Sequence, residues 1–386
     1  MRSPTLASIR RRAALLAAVP ALAVALVAGQ AAASPLAFFT ETTPAGSGYS
    51  GAAGFTPLVG DFDGNGTADV FFYHPGPQPE ALYFGTSGRT FGHAAGTQFY
   101  VSGTYTPLVG DFDGNGSTDI FWYKPGTGAD YLWLFGVDGS FTQITKAVNG
   151  TYKPIVGDFA SKDDKHADDI FWYAPGRTAD SLWRGIGSGQ FQSTPEVVNG
   201  TYTPVVGAFT PNAADGSTDA TLDIFWYAPG TAADSLFKGD GSGNFTAAGY
   251  TVNGTYQPVV GFFDGYGVQD ILWYSPTAGN GSVWLADPDT KKFTAHGITM
   301  GAGYRAVTGE FTIPDEPVYW YSGSGLDHFW LPQGEPGTWD YTELSNNSDL
   351  GAGYTPVTGD FDGDGHPDIY WIGTTTKAEL VWYGPG

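Results

Sequence analysis

The tripeptide Gly60-Asp61-Phe62 returns as Gly110-Asp111-Phe112, Gly157-Asp158-Phe159, Gly207-Ala208-Phe209, Gly261-Phe262-Phe263, Gly309-Glu310-Phe311 and Gly359-Asp360-Phe361, at steps of 50, 47, 50, 54, 48 and 50 residues. A unit of this length cannot bury a hydrophobic face alone, so its copies must stack on one another. In the second copy, turn residues cut the chain into four short apolar runs: Thr106 to Phe112 (strand a), Asp119 to Tyr123 (b), Tyr131 to Phe135 (c) and Phe141 to Val148 (d). The turns are Asp113-Gly114-Asn115-Gly116, Pro125-Gly126, Asp138-Gly139 and Asn149-Gly150, residue types that suit tight hairpins. No stretch has helical periodicity. The pattern predicts an all-β chain, a seven-bladed β-propeller of four-stranded antiparallel blades over residues 34–386.

The seventh copy stops after its third strand, at Glu379 to Tyr383, while Phe39-Thr40-Glu41-Thr42 resembles the start of strand d. Residues 35–50 are therefore expected to complete the last blade and close the ring, which removes two exposed sheet edges. Eleven of the 12 tryptophans fall into two columns of the repeat. Strand b carries Trp122, Trp172, Trp226, Trp273, Trp320 and Trp371, and strand c carries Trp133, Trp183, Trp284, Trp330 and Trp382. Large flat side chains fill the wedges between splayed blades. The same indoles could instead stack on sugar rings, aided by acids three positions earlier, such as Asp130, Asp180 and Asp234. Asp130, Trp133, Asp180, Trp183 and Asp234 are accordingly the candidate carbohydrate contacts.

Three a–b turns carry acids at alternate positions: Asp61, Asp63, Asn65 and Asp69; Asp111, Asp113, Asn115 and Asp119; Asp360, Asp362, Asp364 and Asp368. Alternate oxygens on a glycine-relieved turn converge on one centre, as a hard cation with several oxygen ligands requires. Calcium suits this set better than magnesium, which demands a stricter octahedron, or zinc, which prefers nitrogen and sulfur. Position twelve holds Phe72, Trp122 or Trp371 rather than glutamate, so the loop is not an EF-hand. The third copy, with Asp158, Asp163, Asp164 and Asp169, keeps part of the pattern; the fourth, with Ala208, Asp215, Asp219 and Asp223, keeps less. The fifth has Phe262 and Tyr266 at ligand positions, and the sixth has lost the loop. With these motifs the chain resembles the FG-GAP/VCBS repeat family, the blades of integrin α-chain heads and of many secreted bacterial proteins. The resemblance implies seven blades with calcium on one face, and leaves the ligand open because the fold serves adhesion, lectin and occasional enzyme roles.

Residues 1–33 read as an export signal, with Arg2, Arg10, Arg11 and Arg12 before an apolar run from Ala13 to Ala28 and small residues at 31–33. The rest is expected to be secreted and extracellular, with no transmembrane segment. Of 17 basic residues these four leave with the signal, so 13 face 39 acidic ones, a net charge near −26. Nucleic acid is excluded as a partner, since phosphate recognition needs a basic face. There is no cysteine, so stability must come from the core and from bound ions. The six histidines share no column, and no nucleophile elbow, zinc-protease or phosphate-loop motif occurs. The expected protein is a monomeric, non-catalytic binding or adhesion module for carbohydrate or cell-surface ligands. A polysaccharide lyase or hydrolase on the same scaffold, and a structural surface or matrix protein, are the alternatives.

Overall fold

Seven four-stranded antiparallel sheets follow one another along the chain in the computed structural model. It describes residues 40–42, 54–93, 99–161, 167–177, 179–211, 221–265, 267–308, 317–332, 337–345, 350–373 and 377–384. Contacts divide the chain into Met1–Ala32 and Ala33–Gly386; the first unit lies outside the described residues, and the sheets belong to the second. None of the described residues forms a helix long and apolar enough to cross a membrane.

The second blade shows how the unit is built. Its strands are Thr106–Gly110, Asp119–Tyr123, Asp130–Phe135 and Phe141–Lys146, paired in simple sequence order with Val109 opposite Ile120, Ile120 opposite Trp133, and Trp133 opposite Gln143. Strand a ends at Gly110, not Phe112, because Asp111 already belongs to the turn. Its carboxylate accepts the amides of Gly114 and Gly116 at 2.8 Å. Strand d ends at Lys146, not Val148, because the Val148 amide is drawn to Asp130 Oδ2 at 2.6 Å.

Strand b is buried along its whole length in the first five blades. A middle strand covered by neighbouring blades on both faces must be apolar throughout, which explains runs such as Asp-Ile-Phe-Trp-Tyr where a half-solvated sheet would alternate. The tyrosine ending strand b of one blade packs on the tryptophan of the next: Tyr73 on Trp122 at 4.9 Å, Tyr123 on Trp172 at 5.0 Å, Tyr173 on Trp226 at 4.8 Å, Tyr227 on Trp273 at 4.9 Å, Tyr274 on Trp320 at 4.8 Å and Tyr321 on Trp371 at 5.2 Å. Such pairs add about 0.5–1.5 kcal/mol each beyond their buried area. Each phenol also donates to a glycine carbonyl before the next blade, as Tyr123 does to Gly150 at 2.8 Å, and five of them accept the amide of the tyrosine opening that blade, as from Tyr152 at 2.9 Å.

The seventh blade contains Tyr354–Gly359, Asp368–Gly373 and Leu380–Tyr383, with Thr40–Thr42 as its fourth strand. Thr40, Glu41 and Thr42 lie opposite Tyr383, Trp382 and Val381. A chain truncated through Thr42 leaves Leu380–Tyr383 as an open edge, and should melt well below the full chain or aggregate on heating. An unchanged melting curve for the truncated protein would show that this pairing is dispensable.

Candidate metal centres and an aromatic crevice

The a–b turns of the first, second and seventh blades each bring three carboxylates together: Asp61, Asp63 and Asp69; Asp111, Asp113 and Asp119; Asp360, Asp362 and Asp368, with one oxygen of each within 4.8 Å of the others. Backbone geometry does the gathering. Gly66, at φ 86°, turns its amide to Asp61 Oδ2 at 2.8 Å, and Gly116 at φ 90° does the same for Asp111. The fifth position also ties the turn to the blade. Asn65 and Asn115 donate their side-chain amides to the carbonyls of Gly85 and Phe135, at 3.1 and 2.7 Å, and tie the turn to strand c. Asp364 Oδ1 accepts the His366 amide at 2.9 Å and lies outside the three-carboxylate group.

The last aspartate of each turn holds the fold as well as facing the centre. Asp69 is fully buried; its oxygens accept the amides of Phe62 at 2.7 Å and Gly85 at 2.8 Å, one from either side of the blade. Asp119 and Asp368 repeat this. So do Asp223 and Asp270, in blades that lack the complete turn. The signal for this role was present in the sequence, as an aspartate opening strand b even where other acids are missing. Burial, with added repulsion from the neighbouring aspartates, pushes the carboxyls of Asp69, Asp119 and Asp368 up to about 8. Burial likewise raises Asp63 and Asp113. At neutral pH each cluster therefore needs a proton or a cation. An all-oxygen donor set of this charge fits a hard divalent ion.

In the third blade Asp163 and Asp164 lie outside the described residues, as do Asp215 and Asp219 in the fourth and Tyr266 in the fifth. Asp264 of the fifth accepts the Gly337 amide at 2.9 Å.

The candidate carbohydrate carboxylates are placed differently from expectation. Asp130, Asp180 and Asp234 are buried, and both oxygens of each accept backbone amides: Lys124 and Val148, Ala174 and Val198, Ala228 and Val252. They lock the b–c hairpin to the d–a segment and offer nothing outward. Trp133 is buried too, stacked on Phe141 at 4.2 Å, with its Nε1 donating to Gln143 at 2.9 Å. Trp183 is half-buried against Trp172 and Phe191.

A crevice of about 210 Å³ does open at the second blade, between Tyr100, Val101, Ser102, Tyr105, Trp122, Tyr131, Trp133 and Gln143. Tyr100 is 54% exposed, and Tyr105 and Tyr131 are partly so. The buried Nε1 of Trp122 has no hydrogen-bond partner in the protein. Equivalent positions in the third and fourth blades hold Ser181 and Ser235 in place of Tyr131, so the crevice belongs to one blade and not to three alike.

Residues 352–375, which contain strands a and b of the seventh blade and the turn between them, match the model of the FG-GAP repeat. This match and the seven four-stranded blades fit an FG-GAP-type β-propeller. No curated protein matches its sequence. Among solved structures, the chain is similar to an Agrocybe aegerita lectin described as specifically recognising non-reducing terminal N-acetylglucosamine, at 15% identity and TM-score 0.57, covering 78% of this chain and 82% of the lectin. It is also similar to BBS1N, solved in complex with ARL6DN, at 10% identity and TM-score 0.54, covering 87% of this chain and 94% of the other. These likenesses show the fold.

Asp180→Ala would strand two buried amides, at about 1–3 kcal/mol each. Chemical denaturation should therefore register a loss of about 2–6 kcal/mol, where a carboxylate facing solvent would cost almost nothing.

Proposed function

We propose that this FG-GAP propeller is a secreted, calcium-binding, non-catalytic module that recognises carbohydrate, with residues 1–33 as its export signal. The observation that carries the ligand reading is the crevice at Tyr100, Tyr105 and Tyr131. Partly exposed ring faces there stand beside Ser102 and Gln143. An aromatic face for the C–H side of a pyranose, with donors and acceptors at its rim, is what sugar binding requires. The lectin neighbour supports the class of ligand, and the acidic chain disfavours anionic polymers.

The three clusters support calcium as the ion. It would be held by Asp61, Asp63 and Asp69 in the first blade and by their counterparts in the second. When bound, it would neutralise buried carboxylates and fix turns that otherwise repel themselves. The aspartates raised to about 8 make this testable by pH. Their folded-state protons add stability below about pH 4, and that stability is lost as pH rises towards 8. In chelator the melting temperature should thus fall between pH 5 and pH 8.5. Excess calcium should remove the fall and, at about 100 times its dissociation constant, add roughly 2.7 kcal/mol per site. A melting curve indifferent to calcium across this range would reject the ion.

A glycan array on the full chain tests the ligand. Retention on a bound glycan should weaken about tenfold or more in Tyr131→Ser, which installs the residue of the third and fourth blades, and in Gln143→Glu, which keeps an acceptor for Trp133, a loss of about 1.4 kcal/mol, with the fold retained. No saturable glycan on the array, or retention untouched by both changes, would move the ligand elsewhere.

A further inference from the structure

We propose that Arg89 supplies from within the chain the cation of the seventh a–b turn, so that the junction between the last and first blades closes without a metal ion. This rests on the reading of the a–b turns as cation sites. It departs from the equivalence of the three turns that their sequences suggest.

The junction differs from the other six. Where each earlier blade ends strand b on a tyrosine that clamps the next blade, the seventh has Ile372, packed with Phe55 in an apolar cluster. A second contact is also reduced. The amides of Thr118 and Asp168 donate to the carbonyls of Asp61 and Asp111, and their side chains accept the amides of those aspartates in return. At the last junction the Ala68 amide donates to the Asp360 carbonyl at 2.7 Å, and alanine has no acceptor to give back. Leu222, Pro317 and Pro367 lack one too, but their junctions keep the clamps from Tyr173 to Gly200, Tyr274 to Gly301 and Tyr321 to Gly351.

What this junction has instead is a charge. The c–d hairpins of the second, third and fourth blades lean over the preceding a–b turn, as the amide of Ser188 donating to the Asp113 carbonyl at 3.0 Å shows. The hairpin of the first blade brings Arg89 to that place. Its Nε donates to Asp362 Oδ2 at 2.7 Å, one terminal nitrogen lies 3.7 Å from Asp364 Oδ2, and the guanidinium sits 5.0 Å from the centre of the Tyr383 ring. Asp362 is buried beneath it, whereas Asp63 and Asp113 are only half-buried. A guanidinium keeps its charge at every relevant pH and suits a partly buried carboxylate.

The backbone at this position of the hairpin is left-handed. Two residues before the strand-d phenylalanine, the second, third and fourth blades carry Gly139, Gly189 and Gly243, at φ 72°, 66° and 79°. Arg89 adopts φ 59° at the same position, a left-handed conformation that disfavours any residue with a Cβ. The fifth blade carries Lys291 at φ 55° at the same position, so this turn accepts a long basic side chain as well as glycine, and what sets Arg89 apart is its contact with Asp362 and Asp364.

Arg89→Gly places at this position the residue the fold already accepts there, so the variant should fold. Equilibrium dialysis of the full chain against calcium should find one more ion per chain in Arg89→Gly than in the parent, and that extra ion should vanish when Asp360→Ala is added. Equal numbers in parent and Arg89→Gly overturn the proposal. If neither binds calcium, the reading of the turns as calcium sites fails, and melting in chelator then decides the role of Arg89. A lower midpoint for Arg89→Gly supports the internal cation; an equal or higher one overturns it.

Discussion

Buried carboxylates that accept backbone amides hold each blade in register, and the surface features depend on them. Asp119 joins the end of strand a to the end of strand c, and Asp130 joins the b–c hairpin to the segment leading to the next blade. A carboxylate takes several amides at once, and charge-assisted bonds are roughly twice as strong as neutral ones. In a chain without cysteine such clamps, with the interblade tyrosines, take over the work of covalent staples. They also explain why so acidic a protein places acids in its interior.

The same chemistry sets the two ends of the blade apart. At the a–b end the clamp aspartate is joined by two further acids, and the cluster demands a counter-charge. At the b–c end one acid pins two segments, the b–c hairpin and the d–a connection, and is held by their backbone amides. An acid at the start of a strand is thus an ion ligand or a hinge pin according to what the adjacent turn contributes.

Closure of the ring imposes the remaining asymmetry. Six junctions join blades continuous in sequence, and each carries a tyrosine clamp. The last must join the end of the chain to its beginning, across a strand borrowed from the N-terminal side. There Ile372 stands where the clamp tyrosine stands elsewhere and Arg89 adds an ion pair, while the Ala68 amide keeps its bond to the Asp360 carbonyl.

The repeat period, the turn residues and the apolar runs determined the propeller, its blade count and the position of every blade, because a 50-residue unit of four strands has few ways to bury itself. Alternate acids on a glycine turn were enough to locate the three clusters. Tertiary structure alone decided which acids are available. Asp130 and Asp61 look alike in a string of letters, and only the approach of distant amides separates a buried clamp from a turn ligand. Burial likewise turned the tryptophan columns into blade packing and left tyrosines at the crevice. The pairing of Arg89 with Asp362, 273 residues away in sequence, exists because the ring closes, and no local pattern encodes it.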